Sequence, residues 1–156
     1  MLFDIEMNFN TQICTTREQS SRLLALGVKK ETADCRWAGC VKDAKGNDIP
    51  TKKQIWFTRA SSDERAMGCG FMRHDFIPAW SLHRLMELCP KSIHLDDYAD
   101  THYYLRTNPT EVLYQRDDKT WLKICDKGNI YDQIIDMIKW LIKNKHFNKE
   151  YLEEQK

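Results

Sequence analysis

The clearest periodic pattern in the chain lies between Asn129 and Asn144. On a helical wheel at about 100° per residue, the apolar side chains of this segment share one broad face, as in an amphipathic helix. That face contains Ile130, Tyr131, Ile134, Ile135, Met137, Ile138, Leu141 and Ile142. The pattern therefore predicts a helix that is the central packing element, with Ile134, Ile138 and Leu141 buried against a sheet.

Two shorter helices are predicted upstream from their boundary residues. The first covers about Thr16–Leu26 and is followed by Gly27, which suits the left-handed position after a helix. The second covers about Pro78–Leu88, because proline is favoured in a first helical turn, and Pro90 follows its end. These boundaries predict three helices in total.

Alternating apolar and polar residues predict about five strands. Ala33–Val41 and Lys53–Ala60 predict a hairpin with a long loop. The segments THYYLRT, EVLYQR and TWLKICD predict three further strands, and a short turn at Asp117–Lys119 joins the last two. Helices and strands do not alternate as βαβ units. We therefore expect an α+β fold with a mainly antiparallel sheet of about five strands and three helices packed on it.

Length and charge restrict the domain organisation and the function. The 156 residues predict a single domain over 1–156, with 1–12 and 146–156 as mobile termini. The 24 basic and 23 acidic residues give a net charge of +1. This balance argues against a bulk electrostatic attraction to nucleic acid or to an anionic membrane.

The N-terminal segment and the cysteines predict a cytoplasmic location. Asp4 and Glu6 interrupt the apolar residues of the N-terminus, and no basic segment precedes them, so a signal peptide is not expected. No apolar run is long enough to cross a bilayer. The six cysteines are therefore expected to be mostly reduced and buried.

Three segments of the chain resemble a known group of proteins. They are TTREQSSRLLALGVKKETADCRW, IPAWSLHRLMEL and, near the end, NPTEVLY with IIDMIKWLIKNK. The resemblance extends over most of the chain, from about Thr15 to Lys145. In this order they resemble a group of short uncharacterised proteins of gut Bacteroidales and their phages or mobile elements. The resemblance implies a phage or mobile-element setting in a bacterial cytoplasm, and it implies no catalytic residue.

The first candidate binding surface joins a loop to the second predicted helix. Its residues are Arg73 and His74 from the Ser61–Phe76 loop, and Trp80, His83, Arg84 and Glu87 from the helix. Loops fixed on a rigid element concentrate binding groups, and Trp and Arg often dominate binding energy. In the alternative, Ser81 is the N-cap and Trp80 packs onto Leu85 as a structural staple.

Two other features bear on chemistry. Trp140 lies off the apolar face of its helix, so it either forms an interface or is covered by the N-terminal segment. Four potential metal ligands, namely His94, Asp96, Asp100 and His102, lie close together in the sequence. Such His and Asp strings also occur on solvated loops without a ligand, so no metal site and no cofactor are predicted.

The sequence favours a non-enzymatic binding or interaction protein over an enzyme. Its target would be a host protein, a nucleotide-like small molecule, or a second copy of the chain. The first alternative is a small metal-dependent or His/Asp-dependent enzyme, which would use Arg73–Asp75 or His94–His102. The second is a single-stranded nucleic-acid module, which requires Arg59, Arg106 and Arg116 on one aromatic sheet face. Membrane and nucleic-acid partners are not expected.

Overall fold

A computed structural model describes residues 12–37, 41–42, 48–49, 55–57, 77–95 and 101–154. Within these ranges there are three α-helices and nine β-strands, and every strand pairing is antiparallel. The predicted α+β class, with antiparallel sheet and three helices, is confirmed. Among the described helices, none has the length and apolar character needed to cross a bilayer.

Helix α1 covers Arg17–Ala25 and is fixed at both ends by local hydrogen bonds. Thr16 is its N-cap: the Thr16 hydroxyl accepts a hydrogen bond from the Gln19 amide, and the Gln19 side chain accepts one from the Thr16 amide. Gly27 has φ +85°, as predicted for the residue after the helix. The following Val28 amide donates to the Leu23 carbonyl at 3.1 Å, which returns the chain to the core.

Five short strands follow α1 in the N-terminal half. They are β1 (Cys35–Trp37), β2 (Val41–Lys42), β3 (Asp48–Ile49), β4 (Ile55–Phe57) and β5 (Ile77–Ala79). Strand β1 pairs with β4, so the predicted hairpin pairing is confirmed, and β5 pairs with the other edge of β1. Strands β2 and β3 form a separate ladder. The predicted Ser61–Phe76 loop lies outside the described residues.

The second helix begins later than predicted. Pro78 lies in β5 opposite Arg36, and helix α2 covers Leu82–Leu88. The reason is a local cap: the Ser81 hydroxyl accepts from the Arg84 amide at 3.2 Å and donates to the Asp34 carboxylate. Since β5 borders only β1 in the described sheet, Pro78 is tolerated there as it is on edge strands.

The C-terminal half contains the main sheet and the helix that covers it. The sheet has the order β6-β7-β8-β9, formed by Ser92–His94, His102–Asn108, Glu111–Gln115 and Trp121–Cys125. Helix α3 covers Ile130–Lys143 and packs on β8, β9, α1 and α2. Ile134, Ile138 and Leu141 are at most 1% exposed, so the predicted core face is confirmed.

The C-terminal segment returns to the core, and the cysteines differ from expectation. Within 146–156, the range for which a mobile terminus was predicted, Phe147 is buried and Leu152 forms a β-bridge with Val28. Cys14 and Cys35 form a disulfide, whereas mostly reduced thiols were expected. This bridge joins two buried residues that pack with Ala79 in a small second core. Cys89 and Cys125 are free and buried, as predicted.

Candidate functional site

The face of the main sheet that points away from α3 is the outer face. Strand β7 alternates along its length: Tyr103 and Leu105 pack against the core, whereas His102 and Tyr104 are exposed. Successive side chains of a strand point to opposite faces, so the exposed set lies on the outer face. The register places Tyr104 opposite Gln115, and Gln115 opposite Trp121. These three residues form one row across β7, β8 and β9.

Two large aromatic side chains of this row are exposed to solvent. The exposed fraction is 42% for Tyr104 and 57% for Trp121. Only two other large hydrophobic residues, Ile13 and Leu24, are exposed in the part of the chain that the structure describes. Tyr104 and Trp121 stand two strands apart, a separation of about 10 Å at the usual strand spacing. The row thus holds an aromatic ring on each side of the Gln115 amide.

A histidine pair extends the aromatic surface along β7. His94 and His102 are register partners, and their ring centroids are 4.7 Å apart. The His102 ring is in turn 6.2 Å from the Tyr104 ring, in a stacked orientation. The outer face therefore has a continuous line of exposed rings from β6 to β7, beside the Tyr104–Trp121 row.

The next row of the outer face adds one cation and a buried apolar residue. It contains Arg106, Leu113 and Ile124, which are partners in adjacent strands. Leu113 is only 5% exposed although it lies outside the main core cluster. Arg106 forms an ion pair with the exposed Asp117 at 3.3 Å. Because both partners are solvated, this pair contributes little stability and leaves the guanidinium able to exchange partners.

The predicted loop–helix surface does not include an exposed tryptophan. Trp80 is fully buried, and its indole N–H donates to the Thr32 hydroxyl at 2.9 Å. Ser81 is the N-cap of α2, and Trp80 and Leu85 belong to the same core cluster. The alternative in which Trp80 is structural is therefore confirmed, and the prediction of an exposed Trp80 is wrong. The cause is the later start of α2, which leaves Trp80 before the helix.

The remaining residues of that surface form a small ion-paired group on α2. His83 Nε2 lies 3.1 Å from Glu87, and the Arg84 guanidinium lies 3.4 Å from the same carboxylate. Arg73 and His74 lie outside the described residues. The structure therefore brings together His83, Arg84 and Glu87.

Two of the four potential metal ligands are adjacent in space. They are His94 and His102, whose rings lie next to each other on the outer face in a tilted orientation. Asp96 and Asp100 lie outside the described residues. In the described ranges, no group of three His, Cys, Asp or Glu side chains is arranged to hold a metal ion. Two imidazoles alone do not complete the usual coordination of a structural transition metal.

Trp140 lies beside a cleft on the other side of the sheet. Its ring is half-buried and lies 5.7 Å from the His146 ring. The N-terminal segment that was expected as a possible cover lies outside the described residues. The cleft is formed by the end of β9 and by α3, and lysines from both elements line it.

The free thiols are poor nucleophiles. Burial, with a smaller contribution from Cys125, raises the pKa of Cys89 to about 12. Burial also raises the pKa of Cys125, and the Lys123 ammonium opposes that shift. A reactive cysteine needs the opposite environment, one that stabilises the thiolate. Burial also raises the pKa of Tyr114, whose hydroxyl donates to the Pro90 carbonyl at 2.6 Å.

Sequence reasoning named Arg106, His94 and His102 of the outer face for other roles, and it missed Tyr104 and Trp121. The mixture of aromatic and basic residues in THYYLR was a signal for Tyr104 and Arg106. No comparable signal pointed to the outward position of Trp121 or to the pairing of His94 with His102, because each is set by the register between neighbouring strands. Of the three arginines required for a nucleic-acid face, Arg106 lies on the outer face, Arg116 pairs with Asp118, and Arg59 lies outside the described residues.

Comparisons of the chain with family models, with curated proteins and with solved structures found no match.

Proposed function

We propose that this chain is a non-enzymatic binding protein that docks a partner protein on the outer face of its main sheet. The observation that carries the proposal is the row in which Tyr104 and Trp121 are exposed on either side of Gln115. Burying such rings removes a large apolar area from water, and Trp and Tyr are the residues that most often dominate protein interfaces.

The composition of the outer face favours a protein over single-stranded nucleic acid. Aromatic rings can stack on bases, but a nucleic-acid site also needs cations that follow the phosphate backbone. Arg106 is the one arginine on this face within the described residues, and Asp117 already pairs with it. A protein partner needs no such charge, since it can bury the aromatic row and place polar groups at its rim.

The proposed setting is a phage or mobile element of Bacteroidales, with a host protein of the bacterial cytoplasm as the partner. The support for this setting is the resemblance of three sequence segments described above. The Cys14–Cys35 disulfide weighs against a reducing compartment, because structural disulfides are rare there. Fractionation of expressing cells, with thiols trapped before lysis, tests the location and the state of this bridge together.

Photo-crosslinking tests the docking face directly. A photoreactive phenylalanine analogue would replace Trp121 in one variant, and Leu24, an exposed residue of α1, in a matched control. In Bacteroidales cells we expect a protein adduct of defined mass from position 121 that is absent from position 24. Tyr104→Ala in the same chain should remove the adduct, while the circular dichroism spectrum stays unchanged.

Two results would count against this function. An adduct at position 121 that nuclease removes would identify nucleic acid as the ligand of the face. Equal adducts at positions 121 and 24, or none at 121, would show that the aromatic row is not an interface.

A further inference from the structure

The lysine cleft lies between the end of β9 and the C-terminal half of α3. It has a volume of about 440 Å³. Its walls are Lys123, Ile124, Cys125, Asp126 and Lys127 from the strand side, and Asp136, Lys139, Trp140 and Lys143 from the helix side. Sites for small molecules have volumes of roughly 300–1,000 Å³ and combine an apolar wall with a few polar groups. The cleft has both properties.

Four lysines and two aspartates line the cleft. Lys123, Lys127, Lys139 and Lys143 form no ion pair with any residue in the part of the chain that the structure describes. One of the two aspartates in the wall, Asp136, is already engaged by Arg22 at 2.6 Å. The cleft therefore has an excess of positive charge, although the whole chain is almost neutral with a net charge of +1.

A purely structural role explains only part of this cluster. A lysine in the last turn of α3 is favourable next to the negative end of the helix dipole, and Lys143 occupies that turn. However, Lys139 and Lys143 are four residues apart on one helix, where like charges repel. Lys123 and Lys127 come from a different element and bring further positive charge to the same place. An anion in the cleft would relieve this repulsion.

The indole of Trp140 gives the cleft a flat apolar wall. The ring is half-buried next to His146, which restricts its position. Cys125, whose side chain lies on the α3 side of β9, supplies apolar surface on the strand side. An aromatic ring of a ligand would stack on the indole, and the ammonium groups that line the same cleft would meet phosphate oxygens.

We infer that the lysine cleft binds a nucleotide, with the base on Trp140 and the phosphates among Lys123, Lys139 and Lys143. This site is separate from the outer face and does not depend on the docking function proposed above. An acidic peptide would satisfy the lysines but would make no use of the indole wall. A nucleotide uses both features in one molecule.

Isothermal titration calorimetry with the full chain tests the inference. The probes are ADP, GDP, CDP and UDP, with the matching nucleosides and inorganic pyrophosphate as separate components. We expect at least one nucleoside diphosphate to bind about tenfold or more tightly than either its nucleoside or pyrophosphate, since stacking and charge act together. Raising the salt concentration should weaken the binding, because the phosphate contacts are electrostatic.

Matched variants locate the binding. Lys139→Gln and Lys143→Gln should each weaken the binding of that nucleotide by about tenfold, the effect of losing a charged contact. Lys149→Gln is the control, because Lys149 is also an exposed lysine and lies outside the cleft. Trp140→Phe should retain most of the affinity and Trp140→Ala should lose it. Both lysines of α3 are exposed, so Lys139→Gln should melt at the temperature of the unchanged chain, and Lys143→Gln, which loses a favourable charge at the helix end, should melt only slightly lower.

Four results would overturn the inference. The first is that no diphosphate binds more tightly than pyrophosphate, which would reduce the site to a general anion cluster. The second is that binding is unchanged in both lysine variants, which would place the nucleotide elsewhere. The third is that Trp140→Ala binds as well as Trp140→Phe. The fourth is that a polyglutamate peptide binds more tightly than every nucleotide.

Discussion

Ile138 lies at the centre of α3 and is fully buried, so truncation of its side chain measures how tightly the helix packs on the sheet. Ile138→Ala removes three carbon atoms from the core. At about 0.8 kcal/mol for each buried methylene, the transfer cost is about 2.4 kcal/mol. The cavity left behind adds to this, and large-to-small core changes of this kind total about 2–5 kcal/mol. We therefore expect a loss in the free energy of unfolding within that range.

Urea denaturation followed by circular dichroism gives this free energy. Ile138→Val should cost about 0.5–1.5 kcal/mol, because it removes a single methylene. Leu24→Ala is the control, since Leu24 is 39% exposed on α1 and lies outside the core cluster. A loss below about 1 kcal/mol for Ile138→Ala, the level of ordinary non-core changes, would refute the assigned core face.

Three further predictions follow from buried residues. Trp80→Ala should lower the free energy of unfolding by about 3–5 kcal/mol in denaturant titrations, whereas His83→Ala, at an exposed position, should leave it almost unchanged. Burial in the folded state raises the pKa of Cys89 from 9.0 to about 12. The protonated thiol therefore contributes its full stability below pH 9, and this contribution should be lost as the pH rises to about 12. In urea titrations, the free energy of unfolding of Cys89→Ala should fall less over this pH range than that of the unchanged chain. Thiol titration under denaturing, non-reducing conditions should find no more than four of the six cysteines free, because Cys14 and Cys35 are bonded; six free thiols would contradict the bridge.

Local signals were sufficient for the elements that carry their own periodicity. Helix α3 has an apolar stripe of four turns, and Asn129 caps it by accepting from the Asp132 amide at 3.0 Å. The strands β7, β8 and β9 each have five or more residues, which is long enough to show alternation. In these cases the information lies within about 15 residues of the chain, so a single sequence contains it.

Other elements depend on partners that are distant in sequence. Strand β6 has only three residues, Ser92–His94, and it is a strand because β7 pairs with it. Pro78 marked a helix start by local preference, but pairing with Arg36 places it in β5. The Cys14–Cys35 bridge joins residues 21 positions apart, and cysteine spacing alone does not determine such a pair.

The two surfaces proposed for binding are divided by one irregularity in β9. The register pairs Tyr114 with Lys123 but Gln115 with Trp121, so Leu122 is an extra residue opposite β8. In a regular strand, Trp121 and Lys123 would lie on the same face, because side chains repeat every two residues. The bulge turns Trp121 to the outer face, while Lys123 stays on the side of α3 and reaches the lysine cleft. Alternation in TWLKICD alone would assign Trp121 and Lys123 to the same face. Only the pairing with β8 shows that Trp121 belongs to the aromatic row of the outer face and Lys123 to the lysine cleft.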